Sequence, residues 1–581
     1  MKTNLSHSKI IFDIEADGLN PTVVWCIVAK ELDGDVHTFD NTQIEEGIKF
    51  LQTADVLIGH NIIGYDLPTL KRLHNAEFRA ELEDTLVMSR LYNPIRENGH
   101  SLKTWGYRVN CPKQEQPEDF DSYTPEMLEY CIQDVKLNEK VYKSLVEEGR
   151  SFSKESIVLE QQVADVIKDQ ERNGFYFDSK QAMTLLADLK AKMFDVETEV
   201  QQTFKPKWVD DKMVTPYVRK DGQLSKRGLT DDEYNRCMET NNFEPFMRKT
   251  LQEFNLGSRK QIGEYLIDFG WKPVKFTPTG QPIVDEGTLK KIEHIREAKL
   301  IADYLLYQKR IAQVTSWIDE LQGDRVHGGV ISNGTITGRM SHRSPNLAQV
   351  PNMGSPFGKE CRSCWTVPEG YKLVGIDASG LELRMLAHYM NDQEYINEVV
   401  NGDIHTTNQK LAGLKSRDQA KTFIYALVYG AGDEKIGQVA GGTRKHGSEL
   451  KRTFLNNLPA LKKLRDRVQQ ASRRGFLKGL DGRKIYVRSQ HAALNTLLQG
   501  GGAIVMKKAL AMLDSLLKLN AVDAKFVANI HDEWQMEVKE SQADFVGELA
   551  VSCIEKAGEH FQMRCPLTGE YKIGANWSET H

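Results

Sequence analysis

The chain has 581 residues, 40% of them hydrophobic and 27% charged, and at roughly 150 residues per domain it should fold as about four structural units. With only 44 Gly and 18 Pro, it is neither a disordered nor a collagen-like chain. A formal charge of −5 excludes the strongly basic whole domain that is the simplest footprint of a nucleic-acid binder, so any such site must be a local patch.

The opening residues MKTNLSHSKIIFDIE lack the apolar core of a signal peptide, and no stretch reaches the roughly 18 apolar residues of a membrane span. A cytoplasmic location without a membrane partner is expected, with the eight scattered cysteines as reduced thiols. Residues 9–15 (KIIFDIE) form an apolar run with carboxylates at its end, Asp17-Gly18 reads as a turn, and Val23 to Ala29 reads as the next strand, which suggests an α/β opening. In a strand, i and i+2 share a face, so Asp13 and Glu15 point together and repel unless a cation joins them; a solvated edge strand would show the same pair. HNIIGYD adds Asn61, Tyr65 and Asp66 after an apolar run, and YCIQD puts Tyr130 and Asp134 on one helix face. Four carboxylates (Asp13, Glu15, Asp66, Asp134) with one tyrosine suit a phosphodiester hydrolase that uses two metal ions about 3.5–4 Å apart.

From Ser156 to about Phe204 the periodicity is helical, which predicts a separate, elongated subdomain. The next stretch, to Asn255, loses periodicity, and its FKPKWVDDKMVTPYVRKDGQLSKRG is rich in Lys and Arg; it reads as a basic, loop-rich protrusion. Cys361-x-x-Cys364 invites a zinc or redox reading, but no second pair follows to complete four ligands, and ordinary thiols are expected. KLVGID reads as a buried strand, LELRMLAHYM and RDQAKTFIYALVYG as helices, and AKFVANIHDEWQMEV as two strands about a tight turn. Asp377 at a strand end and Asp532 in that turn are suited to hold Mg2+, a hard cation that prefers oxygen and brings substrate phosphates; two unrelated turn aspartates are the alternative. Arg417, Lys421, Tyr425 and Tyr429, four apart, form one helical stripe in which cations can grip a triphosphate and aromatic faces can stack on a base.

The order Asp-x-Glu, Asn-x-x-x-aromatic-Asp, Tyr-x-x-x-Asp over residues 9–140 resembles the DEDD-type 3′–5′ proofreading exonucleases with a tyrosine. Residues 320–581 resemble family A DNA polymerases, in detail the short replicative enzymes of podoviruses, through NGTITGRMSHRSPNLAQVP, GIDASGLELR, NGDIHT, RDQAKTFIYALVYGAGDEKIGQ, GLDGRK, HAALNTLLQG and HDE. The resemblance implies an α/β multidomain fold: a ribonuclease H-like exonuclease domain (1–148), then a polymerase right hand with a thumb (149–330, protrusion about 204–256) and a palm with fingers (331–581, fingers about 403–478). It implies two Mg2+ per active site, with Mn2+ as a substitute. Asp13, Glu15, Asp66 and Asp134 would hold the exonuclease pair, and Tyr130 would orient the attacking water. Asp377, Asp532 and the Ala378 carbonyl would hold the polymerase pair.

By the same resemblance His405, Arg417 and Lys421 contact the triphosphate, and Lys421 is the proton donor to pyrophosphate. Tyr425 packs by the sugar, Tyr429 and Gly430 by the templating base, and Arg339, His491, Asn495, Gln499 and His531 line the duplex. Glu382 would be a steric gate against a ribose 2′-hydroxyl, bonded to Tyr425. The implied partners are primer-template DNA, dNTPs, a single-stranded DNA 3′ end and a replicative helicase-primase; the segment 204–256 leaves a processivity factor open. Ser379-Gly380-Leu381 stands where bacterial repair enzymes of the family have Ser-Gln-Ile, the phage pattern, and phage genome replication is the expected role. A standalone 3′–5′ exonuclease and a non-catalytic primer-template clamp are the alternatives, and six intact acidic ligands weigh against both.

Overall fold

In the computed structural model, which describes residues 8–117 and 119–581, KIIFDIEA forms the strand Lys9–Ala16 at the centre of a five-stranded sheet. Val24–Glu31 pairs with it antiparallel and Val56–Gly59 parallel, while Val36–Phe39 and Glu81–Asp84 form the edges. Alternation decides the faces: Ile10, Phe12 and Ile14 enter one core with Ile27, Leu57 and Leu70, and Ile11 enters another with Val28, Val135 and Leu145. Asp13 and Glu15 therefore share the Ile11 side, toward the helix Pro125–Glu148. That helix begins where the sequence supplies a cap, the Thr124 side chain accepting from the Met127 N–H with Pro125 in the first turn.

The second sheet has Tyr371–Ala378 between Glu533–Lys539 and Gly569–Gly574, with Ala524–Ile530 beyond, all antiparallel. Its core joins Val374, Ile376, Trp534 and Met536 to the long helices Ala493–Leu519 and Ala543–His560. The helix Lys154–Asn173 adds Leu159, Val163, Val166 and Ile167 to this same core. It also buries Glu160, which accepts hydrogen bonds from Arg483 and from Lys507 Nζ (2.6 Å). Arg483 in turn donates to Asp481, so four charged groups from three distant segments neutralise one another away from water.

The chain thus divides differently from the sequence reading. One unit combines residues up to Asp178 with residues from Glu320 onward, and the other is Ser179–Asp319. The helix Lys154–Asn173 belongs to the first because its apolar stripe is buried there; helical periodicity alone reported a stripe and not its partner. The second unit is built on the helices Ser179–Thr203 and Arg296–Asp319, with a core of Phe204, Phe254, Tyr265, Leu266 and Trp271. Its segment 204–256 has three regular elements among its loops and is not freely basic. Lys207–Val214 and Phe246–Gln252 pair as antiparallel strands, and Asp231–Thr240 is a helix closed by a Thr230–Glu233 capping box. Ten Lys and Arg face nine Asp and Glu over that span, and Lys207, Lys226 and Arg248 are paired with Asp268, Asp231 and Glu233.

None of the eight cysteines is in a disulfide, and burial pushes the Cys364 thiol up to about 12. Among the described residues no helix is long and apolar enough to cross a membrane.

Candidate active sites

Two carboxylate clusters lie at strand ends, one on each sheet. In the first, Asp66 opens the helix Asp66–His74 and accepts from the Ile14 N–H (3.2 Å), which locks it beside the strand that carries Asp13 and Glu15. Asp134, 3% exposed, comes from the helix facing that strand, one turn beyond Tyr130. The four groups predicted from the motifs converge, and they act on one another. Desolvation first, then Asp66, Glu15 and Asp134, hold the Asp13 carboxyl well above the ordinary range. Desolvation and Asp134 push Glu15 up to about 8, and burial takes Asp66 to about 7.

Three neighbours here were not legible as site residues. Cys131 lies with Sγ 3.8 Å from Asp13 Oδ2, and its ligand atom falls within 4.8 Å of those of Asp13 and Glu15. Lys113 is ion-paired to Asp134 and stands 4.7 Å from the centre of the Tyr130 ring. Asp84, 1% exposed, accepts from the N–H groups of Asn61, Ile63, Leu86 and Val87 and so fixes the loop that delivers Asp66. The only hint in the sequence was that Cys131 sits inside the Tyr130–Asp134 motif; Lys113 and Asp84 carry no pattern of their own.

In the second cluster Asp377 stands at the end of the strand Tyr371–Ala378, opposite Glu533 in register, and the Ala378 N–H donates to the Asp532 carbonyl at 3.2 Å. His531, in the turn between the paired strands, takes a left-handed φ of 59°, an unusual conformation that sets the turn bearing Asp532. Desolvation and the Asp532 charge push Asp377 up to about 7, and burial with Glu382 raises Asp532. Glu533 is otherwise engaged: Trp577 Nε1 (2.7 Å), Gln535 Nε2 (2.6 Å) and His581 (2.8 Å) hold it, which makes it a brace for the turn.

Gly380, at φ +58°, makes the left-handed corner from the Asp377 strand into the helix Leu381–Met390, whose first turn presents Glu382. Glu382 accepts from Arg339 Nη2 (3.3 Å) and from the Tyr429 hydroxyl (3.2 Å). The expected bond to Tyr425 is not made: a full turn further along the helix Arg417–Val428, Tyr429 reaches the carboxylate instead. The stripe itself is as spaced, with the Tyr425 and Tyr429 rings 6.2 Å apart and His405 6.3 Å from Tyr425. Arg417 Nε donates to Asp403 (2.7 Å), the N-cap of the helix that carries His405, and Lys421 is exposed.

Around these groups, Arg339 and His531 line one small cavity. Gly430, at φ +75°, comes so close to His491 that an added Cβ would lie 3.0 Å from its carbonyl oxygen. Asn495 and Gln499, four apart, lie half-buried on the helix Ala493–Leu519. Of the residues drawn from the second half of the sequence, Glu382, Arg339 and Tyr425 lie near enough to Asp532 for their charges or dipoles to act on it or to be acted on by it.

Both clusters suit hard cations. Their donors are carboxylate oxygens, and Asp134 Oδ1 is buried with no hydrogen-bond partner among the described residues, a lone pair left for a ligand. His405 Nδ1 is likewise buried without a partner.

Residues 230–579 match the DNA polymerase family A domain. The chain is 33% identical to the DNA-directed DNA polymerase of Enterobacteria phage T3 over 98% of its own length and 100% of the relative. It is also 33% identical to the DNA-directed DNA polymerase of Escherichia phage T7, over 90% of this chain and 92% of that one. The fold is similar to the solved POL domain of Pol1 from M. smegmatis in complex with DNA primer-template and dNTP, with a TM-score of 0.77 at 18% identity over 99% of this chain and 96% of that one. With the family domain spanning more than half of its length and phage relatives aligned nearly end to end, the chain belongs to DNA polymerase family A.

Proposed function

We propose that this chain is a template-directed DNA polymerase with a built-in 3′–5′ proofreading exonuclease, serving the replication of a phage genome. The observation that carries the reading is the pair of carboxylate clusters on two separate sheets, one beside Tyr130 and the other near Tyr425 and Tyr429 at the end of the stripe. Mg2+ ions held by these carboxylates would supply a nucleophile at neutral pH and stabilise the charge on the attacking and leaving oxygens.

In the polymerase site Asp377, Asp532 and the Ala378 carbonyl are the ion ligands. Arg417, Lys421 and His405 take the triphosphate, and Lys421, exposed and unshielded, gives a proton to the departing pyrophosphate. Tyr425 and Tyr429, with Gly430, form the wall for sugar and base, and Glu382 fills the space of a 2′-hydroxyl. Arg339, His491, Asn495, Gln499 and His531 grip the primer-template. In the nuclease site Asp13, Glu15, Asp66 and Asp134 are the ligands, and the Tyr130 hydroxyl orients the attacking water against the terminal phosphodiester of a single-stranded 3′ end.

The two reactions should separate by mutation because the clusters lie on different sheets. Asp532→Ala or Asp377→Ala should abolish primer extension and leave 3′ trimming. Asp13→Ala with Glu15→Ala should do the reverse. Extension by a clean Asp532→Ala preparation would overturn the polymerase assignment, and trimming of a single-stranded end by the double variant would place the nuclease elsewhere.

A further inference from the structure

The nuclease cluster contains one cation of its own, and no motif announced it. Lys113 lies in the turn that follows the helix Leu102–Arg108, and that turn is pinned on two sides. Gly106 lacks the Cβ that would stand 2.8 Å from the Cys111 carbonyl oxygen and 3.1 Å from the Lys113 nitrogen, so the turn packs directly on the helix. The Cys111 N–H donates to the Gly106 carbonyl (2.9 Å), and Gln133 Nε2 donates to Cys111 Sγ (3.5 Å), tying the turn to the helix that carries Tyr130 and Asp134.

From this anchored backbone the side chain enters the carboxylate nest. Its ammonium pairs with Asp134 Oδ2 and stands over the Tyr130 ring, 4.7 Å from its centre. Asp134 Oδ1 stays unpartnered. One ammonium therefore touches both a metal-ligand carboxylate and the residue assigned to the attacking water. We propose that Lys113 is a positioning residue of the nuclease site, which holds the Tyr130 ring in register and competes with the entering metal ion for Asp134. The inference rests on the nuclease reading given above.

Two consequences follow with opposite signs. A positive charge beside Asp134 repels an incoming cation, so removing it tightens ion binding. The same removal frees the Tyr130 ring to turn, so trimming slows even when ions saturate the site. A residue that only props up the fold would weaken both or neither.

The test uses the full chain with Asp377→Ala and Asp532→Ala, which leaves the nuclease nest as the ion site. Mn2+ binding is titrated by electron paramagnetic resonance, and trimming of a single-stranded 3′ end is followed in single turnover at saturating Mn2+. Lys113→Met, close in length but neutral, should lower the Mn2+ dissociation constant about tenfold, equivalent to roughly 1.4 kcal/mol, while the trimming rate falls by at least as much. Lys113→Arg keeps the charge and should restore the weaker parental Mn2+ affinity. If the Lys113→Met protein binds Mn2+ no more tightly than its parent, or trims as fast, the inference fails and the nuclease reading stands. If the parent itself neither binds Mn2+ nor trims, the nuclease reading fails and this inference with it.

Discussion

Glu382 receives both Arg339 and Tyr429, and that leaves Tyr425 with a free hydroxyl. Among the described residues no hydrogen bond reaches the Tyr425 hydroxyl, although its ring is half-buried and desolvation, with Glu382 second, raises its pKa. At the sugar position proposed for Tyr425, a phenol held this way can stand in for a 3′-hydroxyl that the incoming nucleotide lacks. A polar site with an unmade hydrogen bond loses roughly 1–3 kcal/mol, or about one to two powers of ten in selectivity. The protein should therefore incorporate ddNTPs nearly as well as dNTPs, and Tyr425→Phe should disfavour ddNTPs by that factor. Competition assays need the Asp13→Ala, Glu15→Ala background, since trimming would excise the terminator; equal ratios for parent and variant would show that the hydroxyl plays no part.

Among the elements, the helices Asp433–Val439 and Arg444–Asn457 approach more closely than any side chain allows. A Cβ on Gly447 would lie 1.9 Å from the Asp433 carbonyl oxygen and 2.5 Å from the Gly437 nitrogen, and one on Gly437 would lie 2.0 Å from the Thr443 carbonyl oxygen. These obstacles are backbone atoms, which cannot rotate away as a side-chain tip can. Gly447→Ala should force the helices apart and cost about 1–3 kcal/mol, the usual penalty of overpacking, although alanine is the better helix former. A melting temperature equal to or above that of the parent would mean that the crossing is looser than its geometry. The residues 437 and 447 lie in the stretch expected to form the fingers, so the same variant bears on how that element holds its shape.

For the whole molecule, the unpaired carboxylates have a cost that depends on pH. Asp66 and Asp377 are raised to about 7 and Glu15 to about 8, chiefly by desolvation, so the folded chain binds these protons more tightly than the unfolded one. Their contribution to stability is complete below about pH 4, near the unfolded carboxyl values, and is lost as pH rises through 7 and 8. Cations that replace the protons should recover it. Adding Mg2+ to chelator-treated protein should therefore raise the melting temperature more at pH 8 than at pH 6. Equal increments, measured calorimetrically at the two values, would argue against ion binding at these groups.

Much of this was readable from the chain, because the informative residues sit in local patterns. Asp13 and Glu15 are two apart on a strand, Tyr130 and Asp134 four apart on a helix, and KLVGID and LELRMLAHYM carry their own boundaries. What failed depended on contacts between distant segments. The side chain that meets Glu382 is decided by how one helix leans on another, and the helix Lys154–Asn173 advertises an apolar stripe without saying that residues more than three hundred positions later will cover it. Lys113 escaped notice for the same reason, since a lone lysine in a turn looks the same whether it faces water or a nest of carboxylates.

The burial of Glu160 against Arg483 and Lys507 has a consequence for the order of synthesis. The carboxylate emerges from the ribosome 347 residues before Lys507, its more distant partner. At roughly 5–20 residues per second the wait is about 20–70 s. Over that interval the core that receives Leu159, Val163 and Ile167 is incomplete, and the acid beside them lacks Lys507. The first 178 residues can complete their five-stranded sheet early, and their last helix meets it through Ala164 and the Gln161–Asp84 hydrogen bonds, while its stripe of Leu159, Val163 and Ile167 waits for the later core. Nascent chains halted before residue 480 should accordingly be cut by protease within Lys154–Asn173, and released full-length chains should resist; resistance in the halted chains would mean that this helix finds shelter on its own side of the gap.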